Sequence, residues 1–127
     1  MSKDAIQTRN APAAIGPYSQ AIRAGRTVYL SGQIGLDPAT GSLREGLEAQ
    51  IRQVIANLKA VTEAAGGTLD DIVKLTLLLA DMGDFGAVND ILAKAFTPPY
   101  PARATCQVAA LPKAARVEIE AVMELKG

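Results

Sequence analysis

The charged residues that could carry out chemistry are spaced two apart in the last two apolar segments of the chain. Alternate residues of a strand share a face, which would place Arg103, Thr105 and Gln107 together on one segment and Arg116, Glu118 and Glu120 on the other. The prolines at 98, 99 and 101 hold the chain extended just before Arg103. A rigidly presented guanidinium can bind a carboxylate through two parallel hydrogen bonds. It could equally form a cross-strand ion pair with Glu118 or Glu120, and the spacing leaves both interpretations open.

The chemistry is also limited by the residue types that the chain lacks. It contains no histidine and one cysteine, which excludes Ser-His-Asp and Cys-His catalysis, an internal disulfide and the usual zinc ligand sets. Cys106 alternates with Ala104 and Val108, a pattern that predicts a buried small hydrophobic residue rather than a nucleophile. Gly32 lies in a predicted strand, where it could bring its backbone close to a ligand or mark a bulge.

The composition indicates one globular domain, residues 1–127, without a nucleic-acid or membrane partner. Apolar residues make up 49% of the chain and charged residues 20%, which is outside the range typical of disordered chains. Thirteen basic residues balance thirteen acidic ones, so the positive excess typical of nucleic-acid binders is missing. No apolar run approaches the roughly 20 residues that span a bilayer, and residues 1–14 contain no apolar stretch typical of a signal peptide. We therefore expect a cytoplasmic protein.

The elements that must position the charged residues follow from the spacing of the apolar ones. Five strands are predicted, at residues 18–23, 27–34, 72–80, 102–111 and 116–125, and two amphipathic helices, at 47–65 and 85–96. Residues 72–80 include three consecutive leucines and could form a helix, but their place between two helices favours a strand buried on both faces. Two helices can cover one face of such a mixed sheet, so we expect neighbouring subunits to bury the other.

Five segments of the chain resemble the RidA/YjgF family, in order and at the right separations. They are IGPYSQA, VYLSGQIGLDPATG, FGAVNDILAKAF, PYPAR and ALPKAARVEIEAV. The resemblance implies an α+β, chorismate-mutase-like fold: a six-stranded mixed sheet with two helices on one face. It also implies a homotrimer with a central barrel and active sites between subunits. The implied activity is hydrolysis of small 2-imino acids, 2-iminopropanoate and 2-iminobutanoate, to 2-oxo acids and ammonia, without a cofactor or metal.

The same resemblance assigns roles to single residues. Arg103 matches the arginine that binds the substrate carboxylate, and Glu120 matches the glutamate that positions the attacking water. The residues that match the rest of the substrate pocket are Tyr18, Ser31, Gly32 through its backbone, Asn89, and the backbone around Thr105 and Cys106. Many bacterial members carry cysteine at the position of Thr105. This departure bears on reactivity toward thiol oxidants more than on hydrolysis.

Three other functions remain open at this point. Relatives have been described as endoribonucleases or translation inhibitors. A non-catalytic protein that binds small 2-oxo acids would need Arg103 but not Glu120, and both are present. A chaperone-like role would depend on exposed apolar surface, which the sequence does not reveal.

Overall fold

The computed structural model describes residues 2–127, so Met1, the first residue of the predicted domain, lies outside it. Its framework is one six-stranded sheet in the order β1-β2-β3-β6-β4-β5. The strands are β1 (Asp4–Ile6), β2 (Ala21–Ala24), β3 (Thr27–Ile34), β4 (Ile72–Leu79), β5 (Ala102–Gln107) and β6 (Val117–Glu124). β4 and β5 run parallel, and every other neighbouring pair is antiparallel. The α+β class and the mixed six-stranded sheet are therefore confirmed.

Two helices pack on one face of this sheet, as predicted. α1 spans Leu47–Ala64 and α2 spans Phe85–Ala95. α1 ends just before Gly66, whose φ of 94° lies in the left-handed region that favours glycine. The apolar stripe of α1 is fully buried together with the helix-facing side chains of the sheet; it comprises Ile51, Val54, Leu58 and Val61. Both helices therefore begin and end within a residue or so of their predicted limits.

The second face of the sheet, which we call the open face, is not covered by any element of residues 2–127. On β6, buried residues (Val117, Ile119, Ala121, Met123) alternate with half-buried or exposed ones (Glu118, Glu120, Val122, Glu124). On β4, Leu75, Leu77 and Leu79 are buried, whereas Lys74 is exposed and Thr76 is half-buried. The prediction that this strand is buried on both faces is wrong for the single chain, because the two helices lie on the same side.

One strand is additional to those predicted from the apolar pattern, and two strand limits differ by more than one residue. β1 was not predicted, because three residues are too few for a pattern to register. The first long hairpin starts at Ala21 rather than at residue 18; just before it, the buried Gln20 side chain bonds the backbone of Thr8 and Pro12. β5 ends at Gln107 rather than at residue 111, since its parallel partner β4 ends at Leu79.

Within residues 2–127, no helix combines the length and the apolar character needed to cross a membrane.

Candidate active site

Arg103 is held at the edge of the sheet by helix α2. It is the second residue of the edge strand β5 and pairs with the buried Leu75, which places its side chain on the helix-covered face. Its Nη1 donates a hydrogen bond to Asn89 Oδ1 at 2.9 Å, and its guanidinium carbon lies 5.3 Å from the centre of the Phe85 ring. Phe85 and Asn89 are one helical turn apart, so a single face of α2 fixes the guanidinium.

No carboxylate of residues 2–127 lies within ion-pair distance of Arg103. A guanidinium has five N–H donors, and the contact with Asn89 uses one of them. The remaining donors can therefore form the paired bonds that a carboxylate ligand accepts.

A pocket of about 440 Å³ opens beside this guanidinium. Its walls are formed by Leu75, Asn89, Leu92, Ala93, Phe96, Tyr100, Pro101 and Arg103. Most of these side chains are apolar, and Arg103 supplies the one charge. A single fixed cation in an otherwise apolar pocket suits a small organic acid with an apolar tail.

Glu120 projects from the open face, beside a β-bulge in β3. The ladder between β3 and β6 pairs Leu30 with Ala121 and then Gln33 with Ile119, so two residues, Ser31 and Gly32, face the single Glu120. The bulge interpretation of Gly32 is therefore confirmed.

Ser31 and Tyr18 lie close together near this bulge. Both line a shallow cleft with Pro17, Ser19 and Tyr29. The Ser31 hydroxyl donates to the carbonyl of Ser19 at 2.6 Å, which leaves its oxygen free to accept a bond. Tyr18 is 53% exposed and lines the same cleft.

Arg103 and Glu120 lie on opposite faces of the sheet. Leu75 of β4 pairs with both Arg103 and Ala121, whereas Thr76 pairs with both Ala104 and Glu120. β4 separates their two strands, which puts the strand axes roughly 10 Å apart. The predicted alternative of an ion pair between Arg103 and Glu118 or Glu120, or a charged pocket formed by them, is therefore wrong within one chain.

Arg116 does not join the open-face carboxylates either. Its guanidinium contacts both carboxylate oxygens of Asp84, at 3.0 and 3.1 Å. Asp84 directly precedes α2, so this ion pair fastens the start of the helix that carries Asn89 to the start of β6.

Cys106 is exposed, contrary to the prediction of a buried small hydrophobic residue. The alternation along β5 was read correctly, but the face with Ala102, Ala104 and Cys106 is the open one. Thr105 is half-buried and pairs with Leu77 on the helix-covered face. Its neighbour Arg103 shares that face, whereas Cys106 projects toward the side of Glu120.

Glu118 is a further residue of this region. Its spacing suggested only an ion pair or a charged pocket with Arg103, and the family resemblance assigned it no role. It is half-buried on the open face, next to the bulge, and its carboxyl group reaches over Gly32. Burial raises the pKa of the Glu118 carboxyl above its ordinary value, and the nearby charge of Glu120 raises this pKa further. The Glu-x-Glu spacing indicated a shared face, but nothing in the sequence indicated the bulge that brings Gly32 underneath.

The raised pKa of Glu118 gives a prediction for stability. The folded state holds the proton of this carboxyl more tightly than the unfolded state does. This preference stabilises the fold in full below about pH 4.5, and the stabilisation is lost as pH rises through the folded pKa. Glu118→Gln is therefore expected to raise the thermal midpoint at neutral pH and to leave it nearly unchanged at acid pH. Calorimetry of both proteins between about pH 4 and 8 measures this difference. Glu124→Gln, on the same face of β6, controls for removal of one charge, and a gain from Glu118→Gln that does not vary with pH would contradict the prediction.

Among residues 2–127, no group of three or more His, Cys, Asp or Glu side chains is arranged to hold a metal ion. The features that remain are an arginine-anchored pocket on one side of a mixed sheet and a carboxylate beside a bulge on the other. They define an α+β protein whose polar groups suit a small organic acid.

Comparisons with known proteins identify the family. The sequence model described as endoribonuclease L-PSP matches residues 8–125. The 2-iminobutanoate/2-iminopropanoate deaminase of Mus musculus is 53% identical over 118 residues, covering 92% of this chain and 87% of that protein. The corresponding deaminase of Homo sapiens is 51% identical over 118 residues, with 92% and 86% coverage.

Solved structures agree with these sequence matches. RidA from the Antarctic bacterium Psychrobacter sp. has a TM-score of 0.94 at 53% identity, covering 96% of this chain and 99% of that one. E. coli TdcF with bound serine has a TM-score of 0.92 at 38% identity, with 97% and 99% coverage. The chain belongs to the RidA/YjgF family.

Proposed function

We propose that the chain catalyses the hydrolytic deamination of 2-iminopropanoate and 2-iminobutanoate to the 2-oxo acids and ammonia. The observation that carries this proposal is the Arg103 guanidinium, which has no acidic partner in residues 2–127 and adjoins an apolar pocket. The names of relatives more than 50% identical to this chain support the reaction. Serine, which is bound in the TdcF structure, resembles the proposed substrates in size and in its carboxylate.

We further propose that each site is shared between two subunits of a homotrimer. Arg103 and Glu120 of one chain lie on opposite faces of the sheet, so they cannot both contact a substrate of three or four carbons. Arg103 lies on the edge strand β5, where a second chain can bring its own open face alongside. In this trimer the open faces of the three sheets would point inward. Together they would form the central barrel of a chorismate-mutase-like assembly. The side chains of Ala102 and Ala104 are small enough to permit such an approach.

Within such a site, the proposed role of Arg103 is to bind the substrate carboxylate. Its two parallel N–H···O bonds would contribute about 1.5–3 kcal/mol each. Asn89 orients the guanidinium through the 2.9 Å bond to its Oδ1. The neighbouring backbone of Thr105 and Cys106 would lie along the substrate, and the apolar pocket would receive its methyl or ethyl group.

Glu120 of the adjoining subunit would act as the general base. It takes a proton from a water molecule as the water oxygen bonds to the imine carbon, and it returns a proton to the nitrogen. Glu120 then transfers the hydroxyl proton of the resulting carbinolamine to the nitrogen, the carbon–nitrogen bond breaks, ammonia leaves and the carbonyl of the 2-oxo acid forms. A positioned base of this kind contributes about 10²–10⁴-fold in rate. Tyr18, Ser31 and the backbone of Gly32 complete the proposed pocket on the same side as Glu120. No step of this scheme requires a cofactor.

The family description also names an endoribonuclease. The open face of β6 carries Glu118, Glu120 and Glu124, and carboxylates there would repel the phosphates of RNA. The charge pattern therefore favours the imino acids over RNA.

We propose the cytoplasm as the site of action, because a single exposed cysteine is typical of a reducing compartment.

The proposed function is tested by ammonia release. A threonine dehydratase generates 2-iminobutanoate in the cuvette, and a coupled enzyme reports ammonia as it forms. The wild-type chain is expected to accelerate release well above the spontaneous rate and to leave a single-stranded RNA oligonucleotide intact. Failure to exceed the spontaneous rate, even with the chain in excess over the dehydratase, would favour the non-catalytic binding protein. Cleavage of the RNA that weakens steeply with added salt would favour the endoribonuclease.

A further inference from the structure

We propose that Glu118 is a positioning residue, which packs on the backbone of Gly32 and thereby fixes the bulge that faces Glu120. This proposal rests on the proposed function, because Glu120 is the base in that reaction. It concerns a residue that makes no contact with the substrate itself.

The first observation is the space above Gly32. A Cβ atom on Gly32 would lie 2.9 Å from Cδ and 3.1 Å from Cγ of Glu118, and closer still to Oε2. The backbone does not require glycine here, because the φ of Gly32 lies outside the left-handed region. A methyl group at this position would instead displace the Glu118 carboxyl group, which occupies the space above Gly32.

The second observation is what the contact controls. Ser31 and Gly32 together face Glu120, so the bulge sets how far the Glu120 backbone lies from β3. A side chain that rests on Gly32 restrains the bulge from one side, and the bond from the Ser31 hydroxyl to Ser19 restrains it from the other. Movement of Glu118 or Ser31 would therefore shift the backbone of Gly32 and the carboxylate of Glu120. Both of these groups belong to the proposed site.

The third observation is that Glu118 has no polar partner in residues 2–127. The side chain forms none of the hydrogen bonds or ion pairs found there, although it is half-buried. Its same-face neighbours are Glu120 on its own strand, Leu78 and Thr76 on β4, and Ile34 with the adjacent bulge on β3. Partial burial without a partner disfavours the ionised form of this carboxyl group, and a neutral side chain would avoid that cost at neutral pH. Such a cost is typical of a functional site.

A double-mutant cycle tests the proposal. Glu118→Ala is expected to lower kcat for 2-iminobutanoate about 10-fold while KM changes less than about 2-fold, because the base moves but Arg103 still binds the carboxylate. Gly32→Ala should act in the same way, since its methyl group displaces the Glu118 carboxyl. In the double variant the methyl group takes the vacated space, so Gly32→Ala should cause no further loss of kcat.

Two further variants sharpen the cycle. Glu118→Gln keeps the packing over Gly32 and is expected to retain kcat within about 3-fold. Glu124→Ala removes a carboxylate from the same face of β6, away from the bulge, and serves as the matched control. Thermal unfolding of each variant checks that a loss of kcat does not come from unfolded protein.

The possible outcomes separate the two proposals. Losses of kcat that simply multiply in the double variant would overturn the role of Glu118, because the two residues would then act independently. An increase in KM with unchanged kcat for Glu118→Ala would also overturn it. A wild-type chain that hydrolyses no imino acid would instead overturn the proposed function, and the role of Glu118 would fall with it.

Discussion

Replacement of Arg103 by alanine is expected to lower kcat/KM for 2-iminobutanoate by about 100-fold or more, mainly through a higher KM. The guanidinium would form two charge-assisted hydrogen bonds with the carboxylate, each of about 1.5–3 kcal/mol. Their loss corresponds to at least about two factors of ten, since each 1.4 kcal/mol is one factor of ten in an equilibrium constant. The carboxylate does not change during the reaction, so the loss falls on binding rather than on the chemical step. Initial rates over a range of imino acid concentrations separate KM from kcat.

Two matched variants make this result specific. Arg103→Lys keeps the positive charge but not the planar fork, so it should recover only part of the lost binding. Arg52→Ala removes an arginine from the exposed side of α1, where its contact is with Glu48, and should leave the kinetics unchanged. Arg103 is itself exposed, so its truncation should not alter the thermal midpoint appreciably. An Arg103→Ala protein with an unchanged KM would mean that the substrate carboxylate binds elsewhere.

The parts of this fold that could be predicted are those governed by local spacing. The stripe of Ile51, Val54 and Leu58 has the helical period, and Gly66 marks where the first helix ends. The alternation of Val117, Glu118 and Ile119 identified the last strand and its two faces. In each case the residues that define the pattern are close in the chain, so no knowledge of neighbouring elements is needed.

The relation between strands could not be predicted in this way. Alternation shows that Arg103 and Cys106 point to opposite sides of β5, but not which side the helices cover. The covered side depends on the order β6-β4-β5, in which β4 separates Arg103 from Glu120. The prediction that Cys106 is buried and the alternative of an ion pair from Arg103 to Glu118 or Glu120 were both wrong because the spacing does not reveal this strand order. The register shift at Gly32 is likewise set by pairing across strands.

The opposite placement of Arg103 and Glu120 has a direct consequence for how the proposed site can be assembled. Family resemblance assigns both residues to one reaction, yet the sheet separates them within a chain. The proposed roles and this placement agree only if a substrate contacts Arg103 of one subunit and Glu120 of another. The exposed edge of β5 and the open face of β6 then become two halves of one site, and a single chain should have no activity.

Two variants that are nearly inactive at low imino acid concentration are therefore expected to restore activity when their subunits are mixed. In the proposed homotrimer, Arg103→Ala and Glu120→Gln would each remove one half of every site. When equal amounts are unfolded and refolded together, about one quarter of the sites should combine an intact Arg103 with an intact Glu120, because the two subunits at each interface assort independently. At imino acid concentrations well below the KM of Arg103→Ala, ammonia release should then reach about one quarter of the wild-type rate, whereas either variant refolded alone should stay near the spontaneous rate. Sedimentation of the refolded mixture establishes that three chains associate. A mixture that forms trimers but remains inactive would contradict a site shared between subunits and would require both residues to act within one chain.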